Sequence, residues 1–297
     1  MRELAVFMLD VLPAGTHLSS ADYAATVHRT EPGAATLRVT DLGAARGDGV
    51  FETLGVVTGH PQSVEAHLAR LAGSAALLAL PEPNLDQWRV AVELAAAVLP
   101  TDKQGGLKLV LTRGIESTGT PTGWITASIV ENEFAERREG IRVVTLERGY
   151  PSGLAQRAPW LLAGAKTLSY AVNMAARREA VRRGADDAIF ISSDGYVMEA
   201  PTATVVVRRG DTFCTPRTDI GILPGTSQLA LFDFYQRAGF RTEEAMIALA
   251  ELAQSDGVWL VSSVRLAAGV TQIDGARIGY DQEMTDRMNQ ALLSRDA

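Results

Sequence analysis

Apolar residues recur along this chain in two spacings, every second residue and every third or fourth, and the switches between them predict the elements. Residues 50–57 read as a strand, with a turn at Thr58-Gly59-His60 and a return strand reaching Val64, a hairpin pattern. Leu68, Leu71, Ala75, Leu78 and Ala79 then fall at helical spacing over 67–80, and Pro81 and Pro83 end that run. A second helix is expected over 85–99, closed by Pro100, and strands over 107–112 and 124–130 flank a loop rich in Gly, Thr and Pro. A short strand is expected over 35–39, whereas the first thirty or so residues show no clear period. This half reads as an α+β domain over 1–132.

Residues 133–140 are charged and short, and form the expected link to a second α+β domain over 141–297. That domain opens with a strand at 141–146. A helix over 169–183 follows, with Ala171, Met174, Ala175 and Ala180 among its small and apolar positions and Gly184 as its C-terminal cap. A hairpin is expected from 188–192 and 196–199 around Ser193-Asp194-Gly195, and another pair from 204–208 and 212–215. A helix over 227–238, strands at 259–262 and 270–273, and a closing helix over 285–294 complete the pattern. No internal repeat and no low-complexity segment interrupts it.

Composition narrows the function. The chain has 297 residues, 46% hydrophobic and 21% charged, enough for one large or two medium domains with a real core. A formal net charge of −7 argues against a general nucleic-acid binder. With Cys214 the single cysteine, no internal disulfide and no cysteine-rich metal site is expected. His17, His28, His60 and His67 do not form a metal signature, and no apolar run is long enough to predict a membrane span or a signal peptide. A cytoplasmic location is the expectation.

The candidate chemistry begins at Gly164-Ala165-Lys166-Thr167-Leu168-Ser169-Tyr170, where one lysine sits among small residues before a helical run. A lysine whose pKa is depressed by burial suits covalent chemistry with a carbonyl, although alone it reads more readily as a surface lysine at a helix start. Tyr170 would lie one helical turn later on the same face. Glu199 closes Asp194-Gly195-Tyr196-Val197-Met198-Glu199. It is either a strand-end carboxylate in solvent or a buried one that needs a cationic partner such as a protonated ring nitrogen. Leu223-Pro224-Gly225-Thr226-Ser227 precedes a helix and offers backbone N–H groups and hydroxyls to an anion, or is a plain turn with a capping hydroxyl. Ser262-Ser263 could add hydroxyls, and Arg70 could clamp a phosphate. Gly47-Asp48-Gly49 lacks the third glycine of a dinucleotide fingerprint.

Taken in order, six segments resemble the class IV (fold type IV) pyridoxal phosphate (PLP) enzymes. These are Gly47-Asp48-Gly49-Val50-Phe51-Glu52-Thr53, His67-Leu68-Ala69-Arg70-Leu71, Lys166 to Tyr170, Asp194 to Glu199, Leu223 to Ser227, and Ser262-Ser263 ahead of Ile273-Asp274-Gly275. The family includes branched-chain aminotransferases, D-amino-acid aminotransferases and 4-amino-4-deoxychorismate lyases. The resemblance implies a two-domain α+β fold with pyridoxal 5'-phosphate in the interdomain cleft, and a homodimer. It implies Lys166 as the Schiff-base lysine and proton shuttle, Glu199 on the pyridine nitrogen, and Tyr170 at the phenolic oxygen. Arg70, Thr226, Ser227 and Ser263 would hold the phosphate.

Two departures, Thr204 in place of an asparagine and Gly269-Val270 in place of Pro-Val, bear on the substrate side. The segment Leu107 to Gly114, a basic strand ending Arg-Gly, resembles the lyases, whereas Phe51-Glu52-Thr53 is wording shared with the transaminases. The expected function is an aminodeoxychorismate lyase that releases pyruvate and forms 4-aminobenzoate for folate biosynthesis. The alternatives are an aminotransferase of branched-chain or D-amino acids and a non-catalytic binding protein on the same fold. An anionic amino substrate would meet Arg113, Arg46 or Arg265, each of which reads equally as a solvent-exposed arginine.

Overall fold

A computed structural model describes residues 1–34 and 36–294, which group into two compact units. The first comprises residues 1–132 together with 165–170, and the second comprises 133–164 with the chain from 171 onward.

The first unit is built on a six-stranded, fully antiparallel sheet. Its strands are β1 (Arg2–Leu9), β2 (Val27–Thr30), β3 (Gly49–Val57), β4 (His60–Pro61), β5 (Gly105–Thr112) and β6 (Thr122–Ile129), in the order β2-β1-β6-β5-β3-β4. Four helices accompany it: α1 (Ser20–Ala25), α2 (Leu42–Arg46), α3 (Val64–Leu77) and α4 (Leu85–Ala96). Register assigns the sheet's two faces. Leu54 lies opposite Leu107, and Glu52 opposite Leu109, which itself faces Ile125. That face meets α3 and α4 and buries Leu54, Leu107, Leu109, Ile125 and Trp88 completely. On the other face Phe51 and Thr53 neighbour Val110, Lys108 and Thr126.

The second unit carries an eight-stranded mixed sheet. Its strands are β7 (Ile141–Glu147), β8 (Asp187–Ile191), β9 (Thr204–Arg209), β10 (Thr212–Pro216), β11 (Arg241–Ala245), β12 (Gly257–Ser262), β13 (Leu266–Ile273) and β14 (Ala276–Arg277). The order is β11-β10-β9-β12-β13-β7-β8, with β14 on β13, and the parallel pairs are β10/β11, β13/β7 and β7/β8. Around it lie α5 (Glu136–Glu139), α6 (Leu154–Arg157), α7 (Ala171–Arg182), α8 (Thr226–Arg237), α9 (Leu249–Leu252) and α10 (Gln282–Leu293). Phe213 stacks on Tyr235 at 3.7 Å between ring centroids, and the Trp259 indole donates to Thr285 Oγ1 at 2.8 Å, which satisfies its one polar atom inside the core.

Several expectations change. The strand expected over 35–39 is loop and turn over 36–39, while Ala35 lies outside the described residues. Val39 is 89% exposed there, so no apolar face exists to bury a strand. The return strand of the first hairpin is only His60–Pro61, because α3 already begins at Val64. The stretch 133–140 contains α5, and Phe134 within it is buried. The helix expected from Ser169 begins at Ala171. Residues 196–199 form no named strand but pair with β8 through Met198 N–H to Phe190 O and Phe190 N–H to Glu199 O, both 2.9 Å.

Candidate active site

In the first unit, residues 166–168 run alongside the start of β3. The Phe51 N–H donates to Lys166 O at 3.0 Å, the Leu168 N–H donates to Gly49 O at 2.8 Å, and the Lys166 N–H donates to Ser74 Oγ on α3 at 3.1 Å. These bonds fix the lysine backbone at both polar atoms. Gly49 is required by this approach, since a Cβ there would stand 2.8 Å from both Leu111 O and Leu168 Cδ1. Gly47, at φ +69, caps α2 in the left-handed region. The Gly-Asp-Gly segment is thus a close-approach and capping device.

The half-buried Lys166 directs its ammonium over the Phe51 ring, with Nζ 4.5 Å from the centroid. Tyr170 meets the same ring edge-on at 5.3 Å and 88°. The two site residues therefore share Phe51 as a neighbour. The helical spacing expected between them is absent, because Tyr170 precedes α7 and its N–H bonds Leu168 O. A third side chain reaches this ring: Lys108 of β5, with Nζ 5.1 Å from the centroid.

Beneath the other face of β3 lies a buried charge cluster. Glu52, with no exposed side-chain surface, accepts from Arg70 Nε at 2.7 Å and Nη2 at 2.8 Å, and lies 2.7 Å from His67 Nδ1. Burial by itself pushes the Glu52 carboxyl up. The hydrogen bonds and charges of Arg70 and His67 more than reverse this and hold it at about 2. An ionised carboxylate only accepts, so His67 Nδ1 carries the proton in this contact. Sequence reasoning singled out Arg70 as a phosphate ligand and missed Glu52, the carboxylate that holds it. The available signal was a charged residue in the apolar register of β3, between Val50 and Leu54.

Arg113 takes a different place from the one expected. Its Nε and Nη2 donate to Asp48 at 2.7 and 3.2 Å, Nη1 donates to Ala79 O at 3.0 Å, and Nη2 also reaches Leu78 O at 2.8 Å. Every guanidinium nitrogen thus has an acceptor belonging to the fold. A substrate carboxylate would have to displace these, so Arg113 ties the end of β5 to the C-terminal end of α3. Arg46, by contrast, is exposed in the last turn of α2.

In the second unit, Glu199 is half-buried and its Oε2 accepts from the Leu223 N–H at 3.1 Å. Thr226 and Ser227 form the first turn of the twelve-residue α8, behind Gly225, which supplies no side-chain cap. Thr226 Oγ1 lies 3.3 Å from Ser263 Oγ, so the hydroxyl sets of α8 and of the turn after β12 converge. That turn is held from behind by Arg137, whose Nε and Nη2 donate to Arg265 O and Val264 O, both at 2.7 Å. Arg265 pairs with the buried Asp187 at 2.7 Å, which gives this substrate candidate a partner inside the fold.

This donor set has a definite chemistry. Hydroxyls and first-turn N–H groups at a helix N-terminus suit a phosphate dianion. A carboxylate steadied by a backbone N–H suits a protonated ring nitrogen, and a half-buried amine suits a carbonyl. The model of the Amino-transferase class IV family matches residues 49–273. The chain belongs to the class IV aminotransferase family. This class IV protein is 46% identical over 258 residues to the bifunctional aminodeoxychorismate lyase / D-amino acid transaminase of Mycobacterium tuberculosis, covering 84% of this chain and 89% of that protein. Among solved structures it is similar to the fold IV-transaminase CpuTA1 of Curtobacterium pusillum, at 48% identity and a TM-score of 0.91 over 98% of this chain and 100% of that one. It is also similar to the PLP-bound form of a hypothetical aminotransferase from Mycobacterium tuberculosis, at 41% identity and a TM-score of 0.89 over 98% and 99% of the two chains. The α+β, fold type IV architecture expected for the class IV protein is thereby shown. Among the described residues no helix is long and apolar enough to cross a membrane, and no cluster of three or more His, Cys, Asp or Glu could hold a metal ion.

Proposed function

We propose that this protein is a PLP-dependent aminodeoxychorismate lyase, with transamination of D-amino acids as a second reaction of the same site. The observation that carries the reading is Lys166, its backbone fixed by Gly49, Phe51 and Ser74 and its amine on the Phe51 ring beside Tyr170. The 46% identical relative that carries both activities in its name supports the same choice.

Lys166 would hold the cofactor covalently and Tyr170 would contact its phenolic oxygen. Glu199, steadied by the Leu223 N–H, would keep the ring nitrogen protonated. Thr226, Ser227, Ser263 and the first turn of α8 would take the phosphate, together with Arg70, whose orientation Glu52 sets. When bound, PLP supplies an electron sink for the carbon that bears the substrate amine. The Lys166 amine removes the proton from that carbon. In the lyase reaction the enolpyruvyl ether bond of the substrate would then break, the enolpyruvate released would take up a proton to become pyruvate, and the remaining ring would become aromatic. In the transaminase reaction Lys166 would carry that proton onward, and water would release a keto acid, the amino group staying with the cofactor. Homodimers are expected, and sedimentation measures them.

The test is pyruvate release from freshly generated aminodeoxychorismate by the PLP-loaded protein with no keto acid added. Equal amounts of pyruvate and 4-aminobenzoate are the expected result. Cofactor binding without release would leave the transaminase reading, which the 48% identical Curtobacterium pusillum transaminase favours, and an amino-donor screen of both hands would follow. Borohydride reduction should label the peptide containing Lys166, and Lys166→Ala should abolish the label. A label persisting on another lysine would remove Lys166 from its role.

A further inference from the structure

We propose that Arg137 is a positioning residue for the cofactor, whose guanidinium holds the turn after β12 in the conformation that presents Ser263 to the phosphate; this rests on the reading that Ser263 takes that phosphate. The turn is one the chain does not adopt readily. Ser262 lies opposite Leu266 in the β12/β13 pair, so residues 263–265 make the connection. Short hairpin loops of this kind commonly need a residue in the left-handed region, and glycine usually supplies it. Here Leu266 does so, at φ +66 and with its side chain fully buried. A bulky residue keeps such a backbone only where its surroundings over-determine it.

Three side chains from outside the hairpin hold it. Asn289 of α10 accepts from the Ala267 N–H at 2.9 Å and donates to Ala267 O at 3.0 Å. Asp187, at the start of β8, accepts from Arg265 Nη1 at 2.7 Å. Arg137 of α5 donates from Nε to Arg265 O and from Nη2 to Val264 O, both at 2.7 Å, with its guanidinium 3.9 Å from the Phe134 ring centroid. Of the three, Arg137 alone grips the peptides between Ser263 and Leu266. Its planar fork fits two consecutive carbonyls, a geometry that a lysine ammonium matches only in part. Without it those peptides are free to turn and relieve Leu266, and Ser263 Oγ then leaves its place 3.3 Å from Thr226 Oγ1. A phosphate would lose one hydroxyl of its cradle while the ligands on α8 stay. The charged stretch 133–140, expected to be only a link, thereby sets how tightly the cofactor phosphate is held.

The experiment strips the full-length protein of cofactor and titrates it calorimetrically with pyridoxamine 5'-phosphate and with pyridoxamine. These differ only by the phosphate, and neither bonds covalently to Lys166. In Arg137→Met the phosphorylated ligand should bind on the order of tenfold more weakly and pyridoxamine as before, with Arg137→Lys recovering part of the loss. Ser263→Ala should weaken the phosphorylated ligand similarly. The double variant should lose little more than either single one, because Arg137 acts through Ser263. Equal weakening of both ligands in Arg137→Met would overturn the proposal, since that pattern reports a general loss of structure. Losses that add in the double variant, or an unchanged phosphate preference in Arg137→Met while Ser263→Ala loses it, would overturn it too. If Arg137→Met does not fold by circular dichroism, Arg137→Lys carries the same comparison, and an undiminished phosphate preference there overturns the role. Unchanged affinity for the phosphorylated ligand in Ser263→Ala would instead overturn the reading on which the inference stands.

Discussion

Replacing Glu52 with glutamine should destabilise the protein by about 3 kcal/mol at neutral pH, and the loss should fade in acid. The carboxyl is fully buried and held at about 2, against 4.5 for the group in water. Each pKa unit corresponds to about 1.4 kcal/mol, and the interval between those values gives the figure. A folded-state pKa below the unfolded one makes a contribution that is complete above the unfolded value and is lost as pH falls through the folded one. The window therefore runs from about pH 4.5 down to about pH 2. Glutamine keeps the shape but cannot neutralise Arg70, which would be left as a buried cation without its bidentate acceptor. Urea unfolding followed by intrinsic fluorescence would measure the gap between wild type and Glu52→Gln. It should shrink to less than about half its neutral-pH size at pH 3, because the unfolded chain then carries this carboxyl protonated while the folded one, at about 2, stays largely ionised. Equal stabilities at pH 7, or a gap that stays constant down to pH 3, would refute the claim that an ionised Glu52 organises the cluster.

Two further substitutions separate fold from site. Gly114, at φ +75, leaves no room for a Cβ against Thr120 O, so Gly114→Ala should cost roughly 2–4 kcal/mol in the same unfolding assay. Arg113→Ala removes bonds to Asp48, Leu78 O and Ala79 O and should cost about 1–3 kcal/mol. Its KM for a carboxylate substrate should stay within about a factor of two of wild type, and a large rise in KM would return Arg113 to the substrate.

Periodicity exposed the elements that bury one face and hid those that do not. The helices at Val64–Leu77, Leu85–Ala96 and Thr226–Arg237, and strands such as Gly105–Thr112, follow apolar spacing that a reader can count. Arg2–Leu9 was missed because Val6 and Met8, on the half-buried face, are as apolar as Phe7 and Leu9 on the buried one, so alternation does not show. Arg241–Ala245 was missed for the opposite reason. It is a polar edge strand, recruited by parallel pairing to Thr212–Pro216, and nothing in Arg-Thr-Glu-Glu signals that partner. At the site, motif order pointed to Lys166, Glu199 and the hydroxyls of Thr226 and Ser263. It could not show that Arg113 is consumed by Asp48, since that pairing joins residues 65 apart in the chain. Nor could it show that Tyr170 reaches Phe51 from the non-helical chain just before the helix at Ala171–Arg182.

The membership of residues 165–170 in the first unit has a consequence for how the protein is made. When the ribosome has released residues 1–132, the sheet of that unit is complete in sequence, yet the Phe51 N–H and the Gly49 carbonyl still lack the partners that Leu168 and Lys166 supply. Those arrive only after the intervening first stretch of the second unit has been translated. The Lys166 amine is thus among the last pieces threaded into the N-terminal half. A gene fragment stopped at Asn132 would encode a body missing Lys166, whereas a split placed after Tyr170 would keep the segment with its sheet.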